Sequence, residues 1–393
     1  MPKVLVAMSG GVDSSVAAAL LLRAGYEVTG GFIKNWSDSK DPLSGVCSWR
    51  AERRDAIRVA AALDIPLLTF DFEKQYRAKI VAELYRGYAK GETPNPDVLC
   101  NEYIKFGLFF DKAKELGFDY MATGHYASLK TENCKLQTAK SSISANSNLS
   151  VIRNILLRSA SSGAQAKYEI RLLRGLDPDK DQSYFLYRVP QQVLRRTLLP
   201  IGRYRKTEIR NLAKKFHLPV AEKPDSQGIC FIGKVNFSKF LGDKIKSKPG
   251  NIVTPEGNII GRHQGLHNYT IGQRQKIAVA DKHPWYVAQK NPKTNELIVA
   301  PGENHPLMKS KIIILDDLHW ISSQAPQKSF TAQVQIRYRQ KSLPAKVSTI
   351  KGSKTVRLEF KKPVSAAAIG QSAVIYKGKE CLGGGVIRQT LQM

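Results

Sequence analysis

Residues 3–16 read Lys3-Val-Leu-Val-Ala-Met-Ser-Gly-Gly-Val-Asp-Ser-Ser-Val16, and the fold of the first half of the chain follows from this passage. The apolar run 3–8 is short and strand-like, Ser9-Gly10-Gly11 is a turn, and Val16 to Arg23 carry an Ala/Leu-rich helical pattern with Ser14 and Ser15 in the first turn. A strand that passes through glycines into a helix makes a phosphate cradle. Gly10 and Gly11 take positive φ at little cost, so backbone N–H groups converge on an anion at the positive end of the helix. A Walker A loop requires Lys and then Ser or Thr after its last glycine, and no such pair follows Gly11. The plainer alternative is a Gly-Gly turn in an ordinary Rossmann-like unit.

Working outward, strands and helices alternate to about residue 128. Helix 14–24, strand Tyr26 to Ile33, helix 51–63, strand Pro66 to Asp71 and helix 74–89 come first. After the turn Thr93-Pro-Asn-Pro-Asp97 come an amphipathic helix at 101–116 and a strand from Tyr120 to Thr123. The alternation predicts a mostly parallel sheet covered on both faces, with ligands at the carboxyl ends of its strands. The glycine loop and Ala122-Thr-Gly-His-Tyr-Ala127 both fall at such ends, so one pocket should hold both. Residues 131–167 are rich in Ser, Ala and Asn and read as an inserted mobile loop, with no role expected for Cys134 within it.

A helix at 205–216 places Ile209, Leu212, Ala213 and Phe216 on one face and is stopped by Pro219. Frequent Gly, Pro and Asn over 249–300 indicate a small β module. From 311 onward, runs such as Lys311 to Leu315, Ala332 to Ile336, Thr355 to Phe360 and Ala373 to Tyr376 predict a β-barrel. The expected division is 1–218, a nucleotide-binding domain; 219–300, a central domain; and 301–393, the barrel.

With 61 Lys plus Arg against 33 Asp plus Glu, the net charge is +28, which points to a polyanionic partner. The basic residues are spread along the chain, as suits an extended footprint on a folded nucleic acid; general solubility is the bland alternative. No amphipathic anchor or spanning apolar run is evident, so a membrane partner is not expected. Met1-Pro-Lys3 leads directly into a strand without a charged leader, and a cytoplasmic location is expected. The cysteines are Cys47, Cys100, Cys134, Cys230 and Cys381, an odd count without CxxC spacing, which suits a reducing compartment and gives no zinc signature.

Ser-Gly-Gly-x-Asp-Ser resembles the pyrophosphate loop of enzymes that split ATP between its α and β phosphates. Seven ordered blocks extend the likeness: SGGVDSS at 9–15, NPDVLCN at 95–101, ATGHYA at 122–127, LDPDKDQSYFL at 176–186, KPDSQGICFI at 223–232, IGQR at 271–274 and CLGGG at 381–385. Together they resemble the tRNA-specific 2-thiouridylase family, of the pyrophosphate-loop ATP pyrophosphatase superfamily. The implied fold is α/β: an adenine-nucleotide α-hydrolase-like domain with a Rossmann-like parallel sheet, a small β-containing central domain and a C-terminal β-barrel. The implied activity is ATP-dependent 2-thiolation of the wobble uridine, with ATP and magnesium required. Substrates by resemblance are the tRNAs for Lys, Glu and Gln. A cysteine desulfurase or relay protein would donate sulfur, and the enzyme would act as a monomer.

The resemblance also assigns residues. Ala7, Met8, Ser9, Gly10, Gly11, Val12, Asp13 and Ser14, with Ile33 and Gly124, should surround ATP. Asp13 serves through a metal or loop geometry, or simply caps a helix starting at Ser14. Cys230 is expected to carry the persulfide and Cys100 to be the second thiol, which completes sulfur release through a transient Cys100–Cys230 disulfide or by liberating bound sulfide. Asn95, Pro96 and Asp97 should meet the flipped base, and His125, Lys180, Asp181, Gln182, Arg337, Tyr338 and Gln371 should form the tRNA contact, Asp181 by orienting its neighbours rather than by touching phosphate. Arg339 beside Tyr338 extends the cation–aromatic pattern, whereas Cys47 and Cys381 are expected to be structural. A related synthetase using an amine would need neither thiol, nor a charge of +28; a non-catalytic RNA-binding protein would not need an intact loop.

Overall fold

A computed structural model of the chain describes residues 1–38, 47–133, 168–225, 237–275, 277, 284–350 and 352–391. Strand β1 (Lys3–Ala7) is central in a five-stranded sheet, with Val4, Leu5 and Val6 fully buried. It pairs in parallel with β2 (Glu27–Lys34) on one side and, on the other, with β4 (Tyr120–Thr123). β3 (Leu67–Asp71) flanks β2, and the short β7 (Thr197–Leu198) flanks β4, giving the order β3-β2-β1-β4-β7. The order reverses between β1 and β4, which opens a crevice at the carboxyl ends of those two strands. The glycine loop and Gly124-His125 both leave the sheet there.

Helix α1 (Val12–Arg23) follows β1 and α2 (Ser48–Ala62) follows β2. The alanines of α1 allow close packing: Val16, Ala17 and Leu21 share a buried cluster with Ile209 and Ala213 of the helix Lys206–Lys215. Residues 73–89 run as α3 (Glu73–Tyr76), a π-helical turn Arg77–Val81 and α4 (Ala82–Ala89). The helix expected at 101–116 starts earlier. It opens as α5 (Pro96–Cys100), passes through a π-helical stretch Asn101–Phe109 and closes as α6 (Phe110–Glu115). Pro96 lacks the N–H that a first helical turn leaves unpaired anyway, and the Asn95 side chain accepts from the Val98 N–H at 3.3 Å, so the apparent turn is a capped helix start.

The central strands β8 (Gly250–Val253), β9 (Ile259–His263), β10 (Trp285–Asn291) and β11 (Glu296–Pro301) form a sheet of order β10-β11-β8-β9. The C-terminal strands are β12 (Lys309–Trp320), β13 (Ser329–Gln335), β14 (Leu343–Thr349), β15 (Val356–Ser365), β16 (Ser372–Lys377) and β17 (Glu380–Leu391). Their order, β12-β15-β14-β13-β16-β17 with β17 returning to β12, closes a barrel. Alternation fills it: Val356, Leu358 and Phe360 of β15 point inward while the residues between them are exposed.

Two expectations need correcting. The break expected from residue 131 begins later, because Thr131–Asn133 continue β5 (Ala127–Asn133), which pairs antiparallel with β6 (Tyr168–Arg174); 134–167, with Cys134, lie outside the described residues. The hairpin is also not part of the nucleotide sheet: β6 hydrogen-bonds to β17, with Leu172 opposite Cys381. The cation–aromatic stretch Arg337, Tyr338 and Arg339 lies outside the strands: β13 ends at Gln335 and these residues form the turn before β14, where Arg339 has φ +64°. Among the described residues no helix is long and apolar enough to cross a membrane.

Candidate active site

In the glycine loop the two glycines play different parts. Gly10 has φ +71°, and a Cβ there would lie 2.2 Å from the Glu52 carbonyl of α2. Gly11 is extended at φ −99° and serves as the N-cap residue of α1, so positive φ is required at Gly10 alone. The Ser15 Oγ donates to the Gly11 carbonyl at 2.7 Å, the Ser9 N–H donates to Ser14 Oγ at 3.2 Å, and the Gly11 N–H donates to Ser9 Oγ at 3.4 Å. The loop is thus knitted to the first turn of α1 with Ser9 exposed at its rim. Ala7 ends β1 half-buried, and Met8, Val12 and Ile33 are core side chains.

Gly124 was expected to admit the nucleotide. Its missing side chain also lets α1 approach: a Cβ there would lie 2.7 Å from the Ser14 nitrogen and 2.8 Å from the Asp13 carbonyl carbon. Gly124→Ala should therefore push the loop off its position, at a cost of about 1–3 kcal/mol and with loss of nucleotide binding. Thermal unfolding and ATP titration of the variant read the two effects separately.

Asp13 lies inside the first turn of α1, since the helix begins at Val12, so it is not the cap. Its carboxylate accepts from Tyr126 Oη at 2.8 Å and from Lys206 Nζ at 2.7 Å. Burial, and then the Asp13 charge, push the Tyr126 phenol well up, so it stays a donor. Lys206 Nζ also reaches Asp225 at 2.8 Å, and Asp225 pairs with Lys180 and Arg210 at 2.9 Å each. Lys223 Nζ donates to the Gly10 carbonyl at 3.0 Å and pairs with Asp55 at 2.7 Å. Two cations, Lys206 and Lys223, therefore lie directly against the loop, and Asp225 links Lys206 to Lys180 and Arg210. Lys206 is placed by its position as first residue of its helix, with its N–H bonded to Asp177 at 2.9 Å.

Partial burial acts to raise the Asp225 carboxyl, but bonds from Lys206 and Lys180 outweigh it and hold it down at about 2. A carboxyl depressed in the folded state contributes stability that is complete above its unfolded value and is lost as pH falls through the folded one. The wild type should lose this contribution between about pH 4 and pH 2, and Asp225→Asn should flatten that limb of the unfolding free energy against pH. An unchanged acid limb in urea titrations would contradict the ion-pair account.

The second group of residues lies around α5. Asn95, Pro96 and Asp97 are half-exposed at its start and Cys100 is its last residue. Cys100, expected to be the second thiol, is fully buried in the cluster that holds Val98, Ile104 and Tyr184. Its helical turn faces the core once Pro96 nucleates α5. Cys230, with Gln227 and Gly228, lies outside the described residues. Cys381 is buried and its thiol is pushed up by burial, which agrees with a packing role; Cys47 is half-buried at the N-cap of α2, with no side-chain cap bond.

Several residues of the expected tRNA contact turn inward. His125 is 7% exposed, bonds to Thr123 Oγ1 at 2.7 Å, and is held neutral by burial well below its ordinary value, so it carries no charge for phosphate. Asp181 is 7% exposed and accepts from the Gly175 and Ser183 N–H groups at 3.0 Å each and from Arg174 at 2.9 Å, so it orients its neighbours. Gln182 Oε1 accepts from the Tyr126 N–H at 2.9 Å. The ring of Tyr338 packs on Phe185, centroids 4.4 Å apart, beside half-exposed Arg337 and exposed Arg339. Gln371 Nε2 donates to the Thr93 carbonyl at 2.8 Å. Sequence reasoning passed over Lys206, Arg210 and Lys223, whose only signal was their place in charged blocks.

A parallel sheet with a Ser-Gly-Gly-x-Asp-Ser loop at its switch point, flanked by two lysines and followed by a β module and a closed barrel, defines a nucleotide-binding domain joined to two β domains. Family models agree: a tRNA methyl transferase HUP domain matches residues 2–234, a tRNA methyl transferase PRC-barrel domain 238–301 and an aminomethyltransferase beta-barrel domain 310–387. The tRNA-specific 2-thiouridylase MnmA of Methylobacillus flagellatus is 41% identical over 394 residues, covering 99% of each chain. That of Nitrosomonas eutropha is 42% identical over 99% of each, and MnmA 1 of Geobacillus kaustophilus is 40% identical over 100% of this chain and 96% of its own. The chain belongs to the tRNA-specific 2-thiouridylase family.

Proposed function

We propose that this chain is an ATP-dependent tRNA-uridine 2-sulfurtransferase. The observation that carries the reading is the loop at the switch point with Lys206 and Lys223 against it. The lysines pair with Asp13, Asp225 and Asp55, and their ammonium groups are the donors that a polyphosphate at the loop would engage. The loop's serine hydroxyls, backbone N–H groups and cations suit a triphosphate. Magnesium would arrive on the ATP phosphates, with Asp13 the nearby carboxylate.

The uridine C2 oxygen attacks the α phosphorus and pyrophosphate leaves, turning a poor leaving group into AMP. The terminal sulfur of a Cys230 persulfide then attacks C2. Cys100 attacks the Cys230 sulfur, the S–S bond breaks toward the base, AMP departs and a Cys100–Cys230 disulfide forms, to be reduced by an external thiol. In the other route Cys100 attacks the Cys230 sulfur first, forming the same disulfide and freeing sulfide, which then attacks C2 and displaces AMP. Asn95, Pro96 and Asp97 would meet the flipped base; their half-exposure at the start of the helix that carries Cys100 supports this. The +28 charge suits tRNA, and half-exposed Lys180 and Arg337 with exposed Arg339 are the cations of the expected set that face outward.

The remaining parts of the reading are the tRNAs for Lys, Glu and Gln as substrates, a cysteine desulfurase or relay protein as donor, a monomeric state and a cytoplasmic location. The test is direct. Protein, unmodified tRNA for Glu, ATP, magnesium and a persulfide-generating desulfurase are incubated, and nucleosides are analysed by mass spectrometry. 2-Thiouridine with equivalent AMP is expected; no tRNA-dependent cleavage of ATP would remove the enzymatic reading.

A further inference from the structure

The tripeptide Arg-Tyr-Arg occurs twice, at 203–205 and at 337–339, and both copies lie in turns outside helix and strand. In each the tyrosine is the part that packs. Tyr204 lies against the buried cluster of Leu198, Ile201 and Ile209, and the ring of Tyr338 lies against Phe185, centroids 4.4 Å apart. The arginines stay outside: Arg203, Arg205 and Arg339 are exposed and Arg337 is half-exposed. Each turn thus carries two guanidinium groups on a packed aromatic foot, which limits the freedom they lose on binding.

The first turn is firmly placed. A Cβ at Gly202 would run into the Ala127 carbonyl, the Tyr204 N–H donates to the Ile201 carbonyl at 3.0 Å, and the Leu176 N–H donates to the Gly202 carbonyl at 2.8 Å. From Leu176 the chain leads straight to the second turn. Lys180 is half-exposed, the charges of Lys180 and Asp181 act on the Tyr338 phenol, and Phe185 carries the Tyr338 ring. The two turns therefore flank one segment, 176–185. Its carboxylates are mostly committed to the fold: Asp177 accepts from the Lys206 and Asp179 N–H groups at 2.9 and 3.1 Å, and Asp181 from Gly175, Ser183 and Arg174. Glu208 accepts from the Arg205 N–H at 2.6 Å. Asp179 is exposed among them, against Lys180 and the four arginines.

We propose that Arg203 and Arg205 form a phosphate-gripping turn, and that with Lys180, Arg337 and Arg339 they make one strip for the tRNA backbone, reaching from the nucleotide-binding domain to the barrel. This rests on the reading of tRNA as the substrate. Guanidinium forks pair bidentately with phosphate, and a regularly charged strand meets both turns at once. Place argues the same way. Arg205 directly precedes Lys206, which lies against the glycine loop through Asp13 at 2.7 Å, so a strand whose base enters the crevice passes the strip. Both tyrosines are packed into the protein, so the strip grips backbone and positions the RNA without reading its sequence.

The test uses the full chain with Arg203→Ala/Arg205→Ala, with Arg203→Lys/Arg205→Lys, and with Arg54→Ala/Arg58→Ala, which removes the same charge from exposed positions of α2. Affinity for unmodified tRNA for Glu is read as a function of salt. Loss of two phosphate contacts should lower the slope of log affinity against log salt by roughly 1.5 and weaken binding by about tenfold at physiological salt. The lysine pair should keep most of the slope, and the α2 pair should bind as wild type does. Wild-type slope and affinity in Arg203→Ala/Arg205→Ala would overturn the strip alone, since wild-type protein thiolating the same tRNA in parallel leaves the proposed function standing. An equal loss in the α2 pair would reduce the effect to general charge and overturn the assignment. Unchanged tRNA affinity with slower thiolation fed by the desulfurase would give the turn to a protein partner instead. Wild-type protein that binds no tRNA would remove the proposed function and the strip together. Arg203 and Arg205 are exposed, so the variants should fold, and thermal unfolding checks this.

Discussion

Cys100→Ser should lower 2-thiouridine formation by on the order of a thousandfold or more, as expected when a covalent participant is removed, while the first adenylation still releases pyrophosphate. The substitution is nearly isosteric, but Cys100 is fully buried among apolar neighbours, so the hydroxyl needs a partner. A stability loss of about 1–3 kcal/mol is expected if it finds none. The assay must therefore be run below the variant's unfolding transition. A folded Cys100→Ser protein that thiolates tRNA at the wild-type rate would show that sulfur is released without a second thiol.

Lys206→Ala should cut both activity and stability. The Lys206 side chain is 12% exposed and bridges Asp13 and Asp225, at 2.7 and 2.8 Å. Removing it leaves Asp13 without its cation while Asp225 keeps Lys180 and Arg210, and with both carboxylates partly exposed the cost is about 1–3 kcal/mol. It also removes a positive charge beside the phosphate loop, for which a fall of a hundredfold or more in tRNA-dependent AMP formation is expected. The two effects can be parted. Adding Asp13→Asn to Lys206→Ala should recover part of the stability in a urea titration and none of the ATP cleavage. ATP cleavage at the wild-type rate by folded Lys206→Ala would mean that Lys206 only holds the loop's carboxylates apart.

The parts of this protein legible in its sequence are the local ones. Strand, glycine turn and helix at 3–23 could be read because the apolar period changes within a few residues, and the barrel strands because they alternate. What sequence could not convey is contact across chain distance. Nothing in Ala122-Thr-Gly shows that Gly124 abuts the backbone of Asp13 and Ser14, so the glycine was assigned to the ligand alone. His125 and Asp181 carry the polar groups of surface residues, yet buried Thr123 and half-buried Arg174 bond to them inside the fold. Lys206 and Lys223 are two among 61 Lys and Arg, and only packing brings them to Asp13 and Gly10. Asn95-Pro96 looked like a turn because the same residue types start helices and make turns.

The pairing of β6 with β17 sets a timetable for synthesis. Leu172 meets Cys381, so the strand that completes the hairpin's sheet emerges from the ribosome only after the central sheet and most of the barrel. At roughly 5–20 residues per second the wait is about 10–40 s. During that time the parallel sheet around β1 has every strand it needs, whereas the outer edge of β6 offers bare N–H and C=O groups. Glu169, Arg171 and Arg174 put charge along that waiting edge. A message cut short before residue 380 would yield a nascent protein with an intact nucleotide sheet and a permanently open strand, a natural target for chaperones and proteases.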